Sequence, residues 1–222
     1  MTRTAADVNL TARQIPLRWI LPAPGKRRGL AKPGPTPLNV TDRLTELSRD
    51  IVQRLPVFAH VNVGNCLLTV THSKKDGHFG LQARLTPMRL EAGSFETVRR
   101  GRRYRVPKYS IDGRELLYLV TVCVPRFLDL PFEEKLITVV HELYHIGERF
   151  DGDVRRHGGR CHIHTGSKKG YDAHMAVLVD DYLKTRPNPA MLAWLHETYA
   201  ELWSRHGGLF GAVFPKPRLV AV

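Results

Sequence analysis

The stretch from Leu116 to Val124 is nearly all apolar and rich in β-branched residues. A strand without polar alternation is one covered on both faces, so this segment predicts a central or well-covered strand. The period then changes. Leu136, Val139, Val140, Leu143 and Ile146 recur at helical spacing and predict a helix over residues 131–146. Pro131 suits a first turn, Glu133 and Glu134 suit the positive end of the helix dipole, and Gly147 ends the run. A covered strand feeding an amphipathic helix is therefore the expected centre of the fold.

Around that centre the chain reads as an α+β domain. A first helix is expected with Thr41 as N-cap, Asp42 in the first turn, Leu44, Leu47, Ile51 and Leu55 inward, and Pro56 as the stop. Residues 66–71 and 79–85 read as strands joined around Asp76-Gly77. Residues 104–106 and 116–124 read as two more, joined around Asp112-Gly113, since Asp-Gly between such runs is a hairpin signal. The result is a small, mostly antiparallel sheet. A third helix is expected over 171–185, burying Met175, Leu178, Val179 and Tyr182. A fourth starts at Asn188-Pro189, buries Leu192, Leu195, Tyr199 and Leu202, and ends at Gly207-Gly208. Residues 1–40 carry six prolines, seven Lys or Arg and one acid, and predict a basic, irregular arm. Residues 41–207 form the expected domain, and 208–222 a C-terminal tail.

The 222 residues carry a formal charge of +13. Such a balance points to nucleic acid, acidic proteins or anionic surfaces as partners, against a solvated basic surface as the plain alternative. Three cysteines, Cys66, Cys123 and Cys161, are too few and too scattered for a disulfide framework. No apolar stretch reaches the length of a membrane span, and residues 15–24 are too interrupted for a signal peptide, so the expected location is cytoplasmic.

The chemistry lies in His141-Glu142-Leu143-Tyr144-His145, an HExxH run inside the predicted helix. Positions i and i+4 share a helix face, so both imidazoles can grip one metal ion, with Glu142 placed as a base beside it. Zinc suits imidazole-rich ligation, and a catalytic zinc takes three protein ligands with one position left for water. Six of the eleven histidines lie between residues 141 and 174. Three residues compete for the third ligand: His164, on a loop long enough to fold back, then His174 on the next helix, then Asp151. Asp151 stands where HExxHxxGxxH/D would place its last ligand, but Glu148 occupies the position where that pattern needs Gly. His162 points the other way if the loop is extended, and His157, between arginines and glycines, suits solvent. A separate structural zinc at Cys161 lacks a second Cys or His pair.

The stretch from His141 to Arg156, followed by Gly159-Arg160-Cys161-His162-Ile163-His164 and Ser167 to Asp172, resembles a metallopeptidase family of phages, bacteria and archaea described mainly by its HExxH motif. The preceding Pro125 to Lys135 is similar to the same family, and the resemblance covers about residues 105–185. It implies a zincin-like fold, zinc, the HExxH roles for His141, Glu142 and His145, and a further ligand best matched by His164. The extended motif also suggests roles for its neighbours. Asp151 and Asp153 are candidates to orient the ligand imidazoles, Arg155, Arg156 or Arg160 to pair with them or bind a substrate carboxylate, and Tyr171 or His174 to donate to an oxyanion. The plain alternative is that these groups only hold an irregular loop.

The leading expectation is a zinc metallopeptidase acting on a peptide or protein substrate. A second feature supports another class. Arg99, Arg100, Arg102, Arg103, Arg105 and Lys108, with Tyr104 among them, form the densest positive cluster. It suits phosphate contacts, or else a charge run that protects a sheet edge. The alternative is therefore a nucleic-acid-associated binding protein with a structural or secondary zinc, or a protease working on DNA-bound proteins as the SprT-like peptidases do.

Overall fold

A computed structural model describes residues 7–21, 36–73, 80–156 and 168–222, the first five of the last segment by backbone alone. In chain order these residues form β1 (Val8–Leu10), β2 (Leu17–Trp19), β3 (Leu38–Asn39), α1 (Val40–Arg54), β4 (Cys66–His72) and β5 (Ala83–Pro87). Next come β6 (Glu96–Arg99), β7 (Arg102–Arg105), β8 (Tyr109–Ile111), β9 (Arg114–Glu115) and β10 (Tyr118–Val124). The remainder is α2 (Phe132–Tyr144), α3 (Lys168–Lys184), α4 (Pro189–Leu192), α5 (Tyr199–His206), β11 (Leu209–Ala212) and β12 (Val220–Ala221). The class is α+β, with four three-stranded sheets among the described residues.

β10 is the central strand, as its composition predicts, and all seven of its residues are buried. It pairs in parallel with β4 and antiparallel with β5, in the order β4-β10-β5. The sheet is thus mixed rather than mostly antiparallel, and β4 and β5 are not the hairpin expected around Asp76-Gly77, a turn that lies outside the described residues. The physical reason is coverage. The most apolar strand takes the middle, so β4 and β5, which follow one another in the chain, lie on either side of it. On one face Tyr118, Val120 and Val122 join α1, α2 and α3 in the main core. On the other, Leu119, Leu116 and Met88 pack with Tyr109, Ile111 and Phe214.

Asp112-Gly113 is a turn as expected, with both residues at positive φ (48° and 75°), but it joins β8 to β9 rather than β7 to β10. α1 starts two residues earlier than expected, with Asn39 rather than Thr41 as the N-cap, because the Asn39 side chain accepts from the Thr41 and Asp42 N–H groups. The Thr41 hydroxyl instead accepts the Ala212 N–H at 2.8 Å, tying α1 to β11. The expected fourth helix is two. Thr198 and Glu201 form a capping box that opens α5, so the chain breaks between Leu195 and Tyr199 while all four predicted core residues stay buried.

The two ends of the chain join the domain. β1 pairs with β8, β2 and β3 flank β11, and β12 pairs with β7. The expected irregular arm therefore supplies strands, and the expected tail supplies two more. Ile15 and Ile20 are buried, which is what fixes this part of the arm. Among the described residues no helix is long and apolar enough to cross a membrane, and Cys66 and Cys123 carry free thiols. Cys161 lies outside the described residues.

Candidate metal centre

α2 lies against β5, an edge strand of the central sheet, and its buried stripe includes Leu136, Val139, Val140 and Leu143. That packing rotates the last turn so that His141, Glu142 and His145 face a cleft of about 540 Å³, with Ala83, Leu85 and Pro87 on the opposite wall. His145 is the C-cap residue, and its N–H still donates to the His141 carbonyl at 3.2 Å, so the i, i+4 relation holds at the helix end. The two Nε2 atoms stand 2.9 Å apart, with the ring planes at 81°. Two imidazole nitrogens aimed at one point are a donor set that fits a zinc ion.

Glu142 is buried, and its Oε2 accepts the Leu85 N–H at 2.5 Å. The register explains why that N–H is available. The Cys123 N–H donates to the Gln82 carbonyl and the Met88 N–H to the Leu117 carbonyl, so even-numbered β5 residues bond to β10. The odd-numbered ones, Ala83, Leu85 and Pro87, turn their backbone groups to the open edge. Burial raises the Glu142 pKa to about 7, against the opposing pull of the Leu85 N–H and the Arg84 charge. A carboxyl poised there accepts and returns a proton near neutral pH.

The segment after α2 is held by close backbone approaches. Gly147 donates to the Asp153 carbonyl, and a Cβ at Gly147 would lie 2.6 Å from that oxygen. Arg155 N–H donates to the His145 carbonyl, which anchors the C-cap. Tyr118, at the start of β10, accepts the Gly152 N–H at 3.0 Å and donates to the Asp153 carbonyl at 2.9 Å. Asp153 is the hub. Its carboxylate accepts from the Val154 and Ala92 N–H groups and from both Nε and Nη2 of Arg156. Asp153 and Arg156 do pair, and what they orient is the loop backbone beside His145. Tyr118→Phe orphans the buried Gly152 N–H, and the expected loss is about 1–2 kcal/mol by urea unfolding. An unchanged midpoint would show that the hydroxyl does not hold this loop.

The other predicted site residues separate. Asp151 lines a neighbouring hollow with Glu91, Gly147 and Glu148, its Oδ1 accepting from the Asp153 N–H. The sharp turn at Phe150 (φ 51°) and Gly152 (φ 88°) carries it there, away from the cleft lined by the histidine pair. His174 is exposed on α3, with its ring edge-on to Tyr144 at 5.2 Å. Among the described residues no group of three His, Cys, Asp or Glu side chains gathers to hold a metal, so neither Asp151 nor His174 completes the pair. His157, Arg160, Cys161, His162 and His164 lie outside the described residues, as does the side chain of Tyr171. Arg155 pairs with Glu148 and lies over the Tyr144 ring.

Sequence reasoning missed Leu85, Arg84 and Tyr118. Each meets the site through long-range pairing, and no local pattern announces it. Comparison with family models, with curated proteins and with solved structures finds no match to this chain.

Proposed function

We propose that the protein is a zinc-dependent metallopeptidase with a zincin-like core. The observation that supports this reading is the convergence of the His141 and His145 Nε2 atoms beside a buried Glu142, in a cleft walled by an open strand edge. His141 and His145 supply two ligands, and His164 is the proposed third. Zinc, when bound, supplies the Lewis acidity that polarises a carbonyl and acidifies a water. Glu142 takes the proton of the attacking water and returns it to the leaving amine. The Ala83 N–H and the Ala83 and Leu85 carbonyls of β5 align an extended peptide across the cleft by strand addition, which selects unfolded segments over folded surfaces.

The test is cleavage of fluorescently labelled casein by protein carrying one zinc per chain, abolished by a chelator and restored by zinc. Zinc-loaded protein that leaves casein and a mixed peptide library intact overturns the peptidase reading. The third ligand is tested separately by His164→Ala, which is expected to lose zinc on dialysis. Retention equal to that of the wild-type chain assigns the ligand elsewhere.

A further inference from the structure

We infer that the β6–β7 hairpin is a phosphate-gripping ribbon that enters the major groove of duplex DNA. Its two strands are joined by the two-residue turn Arg100-Gly101, both at positive φ (50° and 73°). Four of the five residues from 99 to 103 are arginine, and all four are exposed. Among the described residues none of the four has an ion pair or a side-chain hydrogen bond. Arg105, grouped with them in the sequence, is different. It is half-buried, bonds Asp7 at 3.3 Å and lies over Phe95, where Arg89 also stacks at 3.4 Å. Arg105 anchors the root of the hairpin, and Lys108 pairs with Glu115. The free charge is confined to the tip.

Stability does not account for this tip. Arg99 and Arg102 are directly opposite across the ladder, where like charges destabilise. Arg100 occupies a left-handed position that favours Asn or Gly. A polyanion resolves both, because it neutralises the repulsion and rewards the exposure.

The geometry selects the polyanion. Among the described residues β12 pairs with Arg105 and Tyr104, and the Val222 N–H donates to the Arg103 carbonyl. Arg99 and Arg102 have ladder partners, among the described residues, within the hairpin alone, a two-stranded ribbon about 5 Å between strand axes, which fits a B-form major groove about 12 Å wide. Strand alternation puts Arg99 and Arg102 on one face and Arg103 on the other, with Arg100 at the turn between them. The guanidiniums thus point to both walls of a groove. The A-form major groove of RNA is too narrow to admit them. Phosphate contacts carry no sequence information, so the grip assigned to these four guanidiniums is sequence-independent.

The test is anisotropy of a labelled mixed-sequence DNA duplex titrated with the full chain at several salt concentrations. The variant Arg99→Gln, Arg100→Gln, Arg102→Gln, Arg103→Gln is expected to bind on the order of 100-fold more weakly, with a salt slope smaller by about 3. A charge-matched variant, Arg13→Gln, Arg49→Gln, Arg186→Gln, Arg205→Gln, is expected to stay within a few-fold of the wild-type chain. Arg100→Asn keeps the turn and is expected to lower the slope by about 1, so a misfolded quadruple variant does not end the test. Equal losses in the two quadruple variants, no duplex binding by the wild-type chain, or tighter binding to duplex RNA or polyglutamate each overturn the proposal.

Discussion

Glu142→Gln is expected to stabilise the metal-free protein at pH 8 by about 3 kcal/mol and, in the zinc-loaded protein, to cut hydrolysis by about 10²–10⁴-fold. Both effects come from one burial. In the folded chain Glu142 holds its proton up to about pH 7, whereas in the unfolded chain it releases it near the ordinary value of 4.5. Between those values the folded state binds more protons, so stability falls as pH rises through the window and the penalty is complete above it. Gln keeps the oxygen that accepts from Leu85 and carries no charge to desolvate. Urea unfolding of chelator-treated protein should show a gap at pH 8 that closes by about pH 4. Equal midpoints at pH 8 would mean that the carboxylate is not desolvated as its burial implies. A zinc-loaded Glu142→Gln protein with undiminished activity would remove Glu142 as the base. A buried group that weakens the fold in this way is the usual mark of a site kept for chemistry.

Gly152→Ala is expected to destabilise the chain by about 3 kcal/mol, from a backbone term of about 1–2 and a steric term of similar size. Gly152 has φ 88°, outside the range an L-residue adopts without strain, and a Cβ there would lie 2.4 Å from the Arg89 Cγ. Arg89 has little room to yield, being buried, paired with Glu115 and stacked on Phe95. For a chain of this size the melting temperature should fall by roughly 6–12 °C. The same change disturbs the Tyr118–Gly152 and Arg89–Gly152 hydrogen bonds that fix Asp153. Zinc affinity is therefore expected to drop with stability. A variant that melts like the wild-type chain would show that the loop has room which the packing around Gly152 denies.

The elements were legible wherever local periodicity was strong. α1, α2 and α3 bury the residues their spacing predicts, and β10 is central because its composition leaves it no solvated face. The last helical segment shows how periodicity misleads. Leu192, Leu195, Tyr199 and Leu202 are all buried, yet they belong to successive pieces separated at Thr198. The Thr198–Glu201 spacing is a capping box, and it starts a new helix inside the periodic run. The terminal strands were not legible. Their two to four residues carry no pattern of their own, and they become strands only by pairing with β7, β8 and β11.

The sequence by itself determined the pairing of His141 with His145, because an i, i+4 spacing on a helix needs no tertiary partner to share a face. It determined the density of positive charge at 99–105 for the same reason, since charge is a property of residues and not of their placement. Tertiary structure decided what those residues meet. β5 lies 57 positions before the Glu142 it bonds, and only the β10 register brings the Leu85 N–H to that carboxylate. It separated Arg105, held at the root by Asp7 and Phe95, from the four arginines left at the tip. It also carried Asp151 away from the histidine pair, because the turn at Phe150 and Gly152 sets a direction that residue spacing does not encode.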